Sequence, residues 1–128
     1  DSTPRSDNFL IDPFPLWKKL GVALGPAFAN PNIVKVMHGA ESDVQWLQRD
    51  FGLYVVNLFD TYNAAKMLNL SRLSYAHLLQ TYVGITPDKS HQLADWRQRP
   101  LPPAMKEYAI MDTHYLLDIY QRLKYDLN

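Results

Sequence analysis

The sequence contains no cysteine. Within these 128 residues a disulfide framework and a thiolate metal site are therefore excluded. It also has no excess of charge, because 13 basic residues balance 13 acidic ones. Generic attraction to a polyanion is not expected from such a balance. Any handling of nucleic acid then needs a local basic patch, or a metal ion between phosphate and protein carboxylates. No apolar run approaches the length needed to cross a bilayer, so a membrane partner is not expected. Internal repeats and low-complexity tracts are absent. What remains is ordinary for a globular domain: 47% hydrophobic and 20% charged residues, in a chain long enough for one core.

Periodicity and punctuation sketch the elements. "NFLID" (8–12) reads as a short strand closed by Pro13 and Pro15. "LWKKLGVALGPAF" has helical spacing and is expected to stop near Gly25-Pro26. "NIVKVMHG" is a β-branched run closed by glycine, hence a buried strand. "AESDVQWLQRDFG" reads as a helix with a glycine cap, and "LYVVNLFD" as another strand. Asp60-Thr61 suits the cap of a helix over "YNAAKMLNL", and "SYAHLLQTYVG" is a further amphipathic helix. A long irregular stretch, "ITPDKSHQLADWRQRPLPP", precedes a final helix that starts at Pro102-Pro103 and runs to the C-terminus. Strands alternating with helices predict an α/β layer structure. About three strands are few for a sheet covered on two faces, which suggests that the start of the domain lies upstream.

Two carboxylates interrupt the apolar pattern. In the last helix Tyr108, Asp112, Tyr115, Leu116, Ile119 and Leu123 share one face. In the helix after "NIVKVMHG", Ala40, Asp43, Val44, Leu47 and Phe51 do the same, with Trp46 within reach. A bare buried carboxylate is costly unless paired, hydrogen-bonded or metal-bound. Two helices each placing an aspartate on an inner face suggest a shared solution, such as a cluster around divalent cations. Hard Mg²⁺ takes oxygen ligands and keeps waters for a phosphate-bearing substrate, and a pair of ions serves in-line displacement at phosphorus. The plainer alternative is an aspartate at the stripe's edge, capping a neighbouring helix or pairing with arginine. Spacing alone leaves both open.

The segments "HGAESDVQWLQRDFGLYVVNLFDT" and "HQLADWRQRPLPPAMKEYAIMDTHYLL" closely resemble the DEDDy 3′→5′ exonucleases, of the nuclear exosome exoribonuclease type, with bacterial RNase D a more distant relative. The resemblance runs from about Asn8 to the end. It implies an α/β, ribonuclease-H-like exonuclease fold, with a mixed sheet and flanking helices, over residues 1–128. It implies hydrolysis of single-stranded RNA from its 3′ end to nucleoside monophosphates by two Mg²⁺ (or Mn²⁺) ions. Asp43 and Asp112 match the third and fourth metal-binding carboxylates, and Tyr108 the tyrosine that names the subclass. The sister subclass has histidine five residues before the last aspartate, where this chain has Glu107.

By the same resemblance Trp46 packs on the terminal nucleotide, Lys89 approaches the terminal phosphate, and His38 lines the site. As plain residues, Trp46 equally suits the core, Lys89 a solvated surface, and His38 a capped or core position. Asp95, Arg97 and Arg99 are expected to brace their loop by ion pairs. Exosome subunits as partners, rRNA processing, and a nuclear or nucleolar location follow from resemblance alone.

One departure is large. The first motif of the family, Asp-x-Glu, is not in this sequence, since neither Asp7 nor Asp12 has glutamate two positions on. The expectation is a fragment whose upstream strands carry that pair, with unpaired sheet edges as a consequence. A second departure, Ile110-Met111 where relatives more often carry polar residues, alters the exposed side of the last helix. Two other readings stand beside the enzyme: a non-catalytic, exonuclease-like module that binds RNA or protein, and a DNA exonuclease like the domain of a RecQ-type helicase.

Overall fold

The computed structural model describes residues 8–87, 90 and 94–128. The element order is α1 (Trp17–Ala29), β1 (Lys35–Met37), α2 (Glu41–Phe51), β2 (Leu58–Asp60), α3 (Thr61–Met67), α4 (Tyr75–Val83), α5 (Pro103–His114) and α6 (Leu116–Leu127). Among the described residues the sheet is a parallel pair, with Val36 opposite Phe59 and Met37 opposite Asp60. Parallel strands need a crossover between them, and α2 supplies it.

Two apolar clusters hold these elements together. Ala64 and Ala65 of α3, Leu78 and Leu79 of α4, and Ile119 and Leu123 of α6 form the larger, with Phe59 packed against it. Leu20 of α1, Phe51 and Leu53 form the smaller. Gly21 permits the second contact. A Cβ there would stand 2.2 Å from the carbonyl oxygen of Phe51, so α1 can lie against the end of α2 only without a side chain at this position.

The helix ends obey local chemistry. Asp60 caps α3 by accepting from the N–H of Tyr62, and Ser74 caps α4 by accepting from that of His77. Gly52 and Gly84 close α2 and α4 in the left-handed conformation, at φ of 64° and 78°. The final helix starts at Pro103, as its prolines predict.

Four expectations need correction. "NFLID" is not a strand. Phe9 is 81% exposed, and the segment is tied down by polar contacts instead. Asn8 bonds His114, and Asp12 takes an ion pair from Arg99 at 2.7 Å. Helix α1 runs through Gly25-Pro26 to Ala29. Proline near its end deprives only the Val22 carbonyl of an N–H partner, and Val22 is exposed to water. The two strands are shorter than the runs that announced them. Ile33 and Val34 are largely exposed, while Lys35 is buried and donates to the carbonyls of Asn30 and Ile33. The last helix is two helices, broken at Tyr115 (φ −97°, ψ 5°).

Candidate active site

The site begins at the C-terminal end of β1. There the chain leaves the sheet at His38, turns at Gly39 (φ 61°) and enters α2. No side chain of α2 caps its own first turn. Asp60, at the end of the adjacent strand, does so from across the sheet. One carboxylate oxygen accepts from the N–H of Gly39 and the other from that of Ala40, each at 2.8 Å. The first oxygen also accepts from Tyr62 at 2.9 Å. A single carboxylate thus fixes the starts of α2 and α3 together. On α2 it sets the position of Asp43, in the first turn, and of Trp46 one turn on. A carboxylate at a helix N-terminus sits at the favourable end of the dipole.

Asp112 arrives from the other side on α5. A cleft of about 360 Å³ lies between, lined by Val36, Met37, His38, Asp43, Trp46, Leu47, Asp112, Thr113 and Leu116. Four of the sequence-derived candidates, His38, Asp43, Trp46 and Asp112, therefore come together on one concave surface. The two carboxylates are not buried in the core, as the apolar stripes suggested. Both side chains face open solvent at the cleft. The stripe beyond Asp112 does turn inward, because Leu116, Ile119 and Leu123 are buried on α6. Asp112 sits where α5 ends, so it rides on the rim of that stripe.

Asp112 stands in an unfavourable place for a negative charge. Neighbouring atoms withdraw part of Asp112's hydration and push its carboxyl above the usual carboxylate value. It also lies in the last turn of α5, the unfavourable end of a helix for a negative charge. Both penalties are relieved by a cation beside it.

His38 is half-buried. Its Nδ1 lies 2.8 Å from the Thr61 hydroxyl, which in turn donates to the Met37 carbonyl. Burial lowers its pKa, partly offset by the charge of Asp60 and a hydrogen bond with the Leu73 backbone. Trp46 is 39% exposed and packs edge-on against Phe51 at 5.1 Å. It is neither a filled core position nor a free surface ring.

Tyr108 does not line the cleft. Its ring lies 5.8 Å from that of Trp96, so it packs on the "LADWR" segment, one turn before Asp112. Lys89 lies outside the described residues. In the loop, Arg97 pairs with Asp95 at 3.0 Å and Arg99 with Asp12, as the bracing expectation holds. Two residues of the site escaped sequence reading. Asp60 looked like the cap of one helix, and nothing local announces that it also caps α2. Tyr75 looked like one apolar position on an amphipathic helix, yet its ring meets His38 at 5.8 Å.

As a donor set for a divalent cation, two carboxylates fit a single hard ion completed by waters and phosphate oxygens. Among the described residues no group of three such ligands occurs, so the two carboxylates alone do not complete a ligand set.

Comparison with known proteins fits this geometry. A family model described as "3'-5' exonuclease" matches residues 2–128. Exosome complex component 10 of Rattus norvegicus is 53% identical over 123 residues, covering 96% of this chain and 14% of that protein. Exosome complex exonuclease RRP6 of Saccharomyces cerevisiae is 51% identical over 120 residues, covering 94% of this chain and 16% of that one. The chain thus spans about a seventh of the length of such relatives.

Among solved structures, the catalytic core of RRP6 from Trypanosoma brucei matches with a TM-score of 0.79 at 48% identity, over 84% of this chain and 30% of that one. Escherichia coli RNase D, an exoribonuclease involved in structured RNA processing, matches with a TM-score of 0.74 at 32% identity, over 81% and 28%. These likenesses bear out the ribonuclease-H-like α/β fold. With a family model matched along nearly its whole length and relatives at half identity, the chain belongs to the 3′→5′ exonuclease family.

Proposed function

We propose that this chain is part of an exoribonuclease domain that shortens single-stranded RNA from the 3′ end and releases nucleoside monophosphates. The observation that carries the proposal is the meeting of Asp43 and Asp112, from separate helices, on one cleft with Trp46 and His38. The family match and the relatives named as exosome components and RNase D support the reaction class.

Asp43 and Asp112 would supply two carboxylates to a Mg²⁺ or Mn²⁺ site of the two-cation kind, for which the family's Asp-x-Glu pair would be the other half. When bound, such ions neutralise the scissile phosphate and make water acidic enough to attack at neutral pH. The chain's own residues do the rest. Trp46 offers an aromatic surface on which any terminal base can stack. His38, whose pKa burial lowers, lines the cleft. The family pattern gives Tyr108, one turn before Asp112, the task of orienting the attacking water, although its ring here packs on Trp96 outside the cleft, and it gives Lys89 an approach to the terminal phosphate. Both roles rest on the family resemblance. Association with other exosome subunits, work on nuclear RNA, and a nuclear or nucleolar location extend the same reading.

The test is decay of a 5′-labelled single-stranded RNA in Mg²⁺ by the chain extended upstream through Asp-x-Glu, beside the same protein with Asp112→Asn. Stepwise shortening that the substitution abolishes is expected. A folded, extended protein that leaves the RNA intact would overturn the catalytic reading in favour of a binding module.

A further inference from the structure

Tyr75 is the first residue of α4, and the exonuclease reading gives it no task. Its ring packs against His38 on one wall of the cleft. Its hydroxyl donates to the carbonyl of Met111 at 3.0 Å. Met111 is the residue immediately before Asp112, in the last turn of α5. That turn is poorly held by its own helix. α5 stops at His114, and the N–H of Tyr115 is directed to the Thr113 carbonyl. Carbonyls in a terminal turn lack their full set of helical partners and look outside for donors. The phenol of Tyr75 is such a donor.

We infer that Tyr75 is a positioning residue: through the Met111 carbonyl it fixes the end of α5, and so the place of the Asp112 carboxylate relative to Asp43. The inference rests on the exonuclease reading of the cleft. Burial raises the Tyr75 phenol above its ordinary value, so it stays a protonated donor. The titratable groups facing it are Asp112, Tyr115 and, beyond His38, Asp60. No acid or base step is assigned to it, since its hydroxyl is committed to a backbone carbonyl.

The test is Tyr75→Phe in the full-length protein. Phenylalanine keeps the ring on His38 and removes only the hydroxyl. Mn²⁺ binding is read by the paramagnetic resonance of the free ion, without substrate, and RNA decay is followed separately. Loss of one hydrogen bond that orients a ligand predicts Mn²⁺ affinity and kcat each reduced about five- to tenfold. KM for RNA stays within about twofold, because the base-stacking surface is untouched. Excess Mn²⁺ recovers part of kcat. Tyr75→Leu, which also removes the ring, adds a loss of thermal stability that Tyr75→Phe largely lacks. Unchanged Mn²⁺ affinity and kcat in Tyr75→Phe, beside an active parent, overturn the positioning role alone. A parent that neither binds Mn²⁺ nor shortens RNA overturns the exonuclease reading, and this inference with it.

Discussion

Replacing Asp60 by alanine tests whether one carboxylate organises the entrance to the site. The side chain accepts three backbone N–H groups, from Gly39, Ala40 and Tyr62, at 2.8, 2.8 and 2.9 Å. A bond to an ionised acceptor contributes about 1.5–3 kcal/mol when shielded, and less where water can replace it. Gly39 and Tyr62 are open to solvent, whereas Ala40 is fully buried. Two weak losses and one strong one give a destabilisation of about 3 kcal/mol for Asp60→Ala, at the upper end of cap removals because two helices lose their cap. Asparagine separates the contributions. Its amide has one acceptor oxygen, so in either orientation at least one N–H faces an NH₂ group, and a loss of about 1–2 kcal/mol is expected. Urea unfolding followed by circular dichroism measures both. The functional consequence needs a control of matched stability. Leu79→Ala, in the larger core on α4, costs about 2–5 kcal/mol by cavity formation, away from the turn that aims α2. If Asp60 aims α2, Asp60→Ala loses far more nuclease activity than Leu79→Ala at a temperature where both are folded. The reasoning fails if Asp60→Ala unfolds within about 0.5 kcal/mol of the parent, or if the two variants lose activity equally.

Two further outcomes are expected. Gly21→Ala drives a methyl group into the Phe51 carbonyl and should cost about 1–2 kcal/mol net, overpacking outweighing better helix propensity. Gly25→Ala, four residues on, meets nothing within 4 Å beyond its chain neighbours, but the Pro26 ring opposes a Cβ on the helical residue before it, so a gain of no more than about 0.5 kcal/mol is expected. Thermal melts of the pair check both signs, and equal shifts would show that the α1–α2 contact is looser than described. Asp112→Asn should raise stability in a chelator at pH 7. The folded carboxyl titrates above its unfolded value of 3.8, so its stabilising contribution is complete below that value and is lost as pH rises through the folded one. The ionised carboxylate is then a net liability at pH 7, which asparagine removes, and the difference should vanish near pH 3. A metal-free Asp112→Asn protein less stable than the parent at pH 7 would contradict this.

The sequence announced what depends on neighbours along the chain. The glycine caps at Gly52 and Gly84, the aspartate and serine caps at Asp60 and Ser74, and the start of α5 at its prolines follow from local backbone chemistry. The inward stripe Leu116, Ile119 and Leu123 follows from helical period. Misreadings arose where a distant contact decides. "NFLID" has strand composition, but it crosses α5 and the loop through Asn8 and the Asp12–Arg99 pair, with no strand beside it. "NIVKVMHG" pairs over only three residues, because its partner supplies only Leu58–Asp60. The continuous pattern through Tyr115 concealed a break, since a helix and two helices joined by one residue share nearly the same apolar period.

The same distinction explains the site. Asp43 and Asp112 were legible as a pair because each stands out against its own helix, but the side on which they meet is set by residues that look unremarkable in sequence. Asp60 holds the helix of one carboxylate, and Tyr75 holds the helix end of the other. Both act on backbone atoms, so neither has to match a residue type in the segment it positions. Such contacts leave no spacing signature, and they become visible only when β1, α2 and α5 are brought around one cleft with α4 packed beside His38. It follows that the side chain of Met111 can vary without disturbing its contact, provided its carbonyl stays in place, whereas Ala40, fully buried, has no room for a larger one. By contrast, removing the carboxylate of Asp60 or the hydroxyl of Tyr75 should disturb the distance between the two aspartates while leaving both aspartates intact.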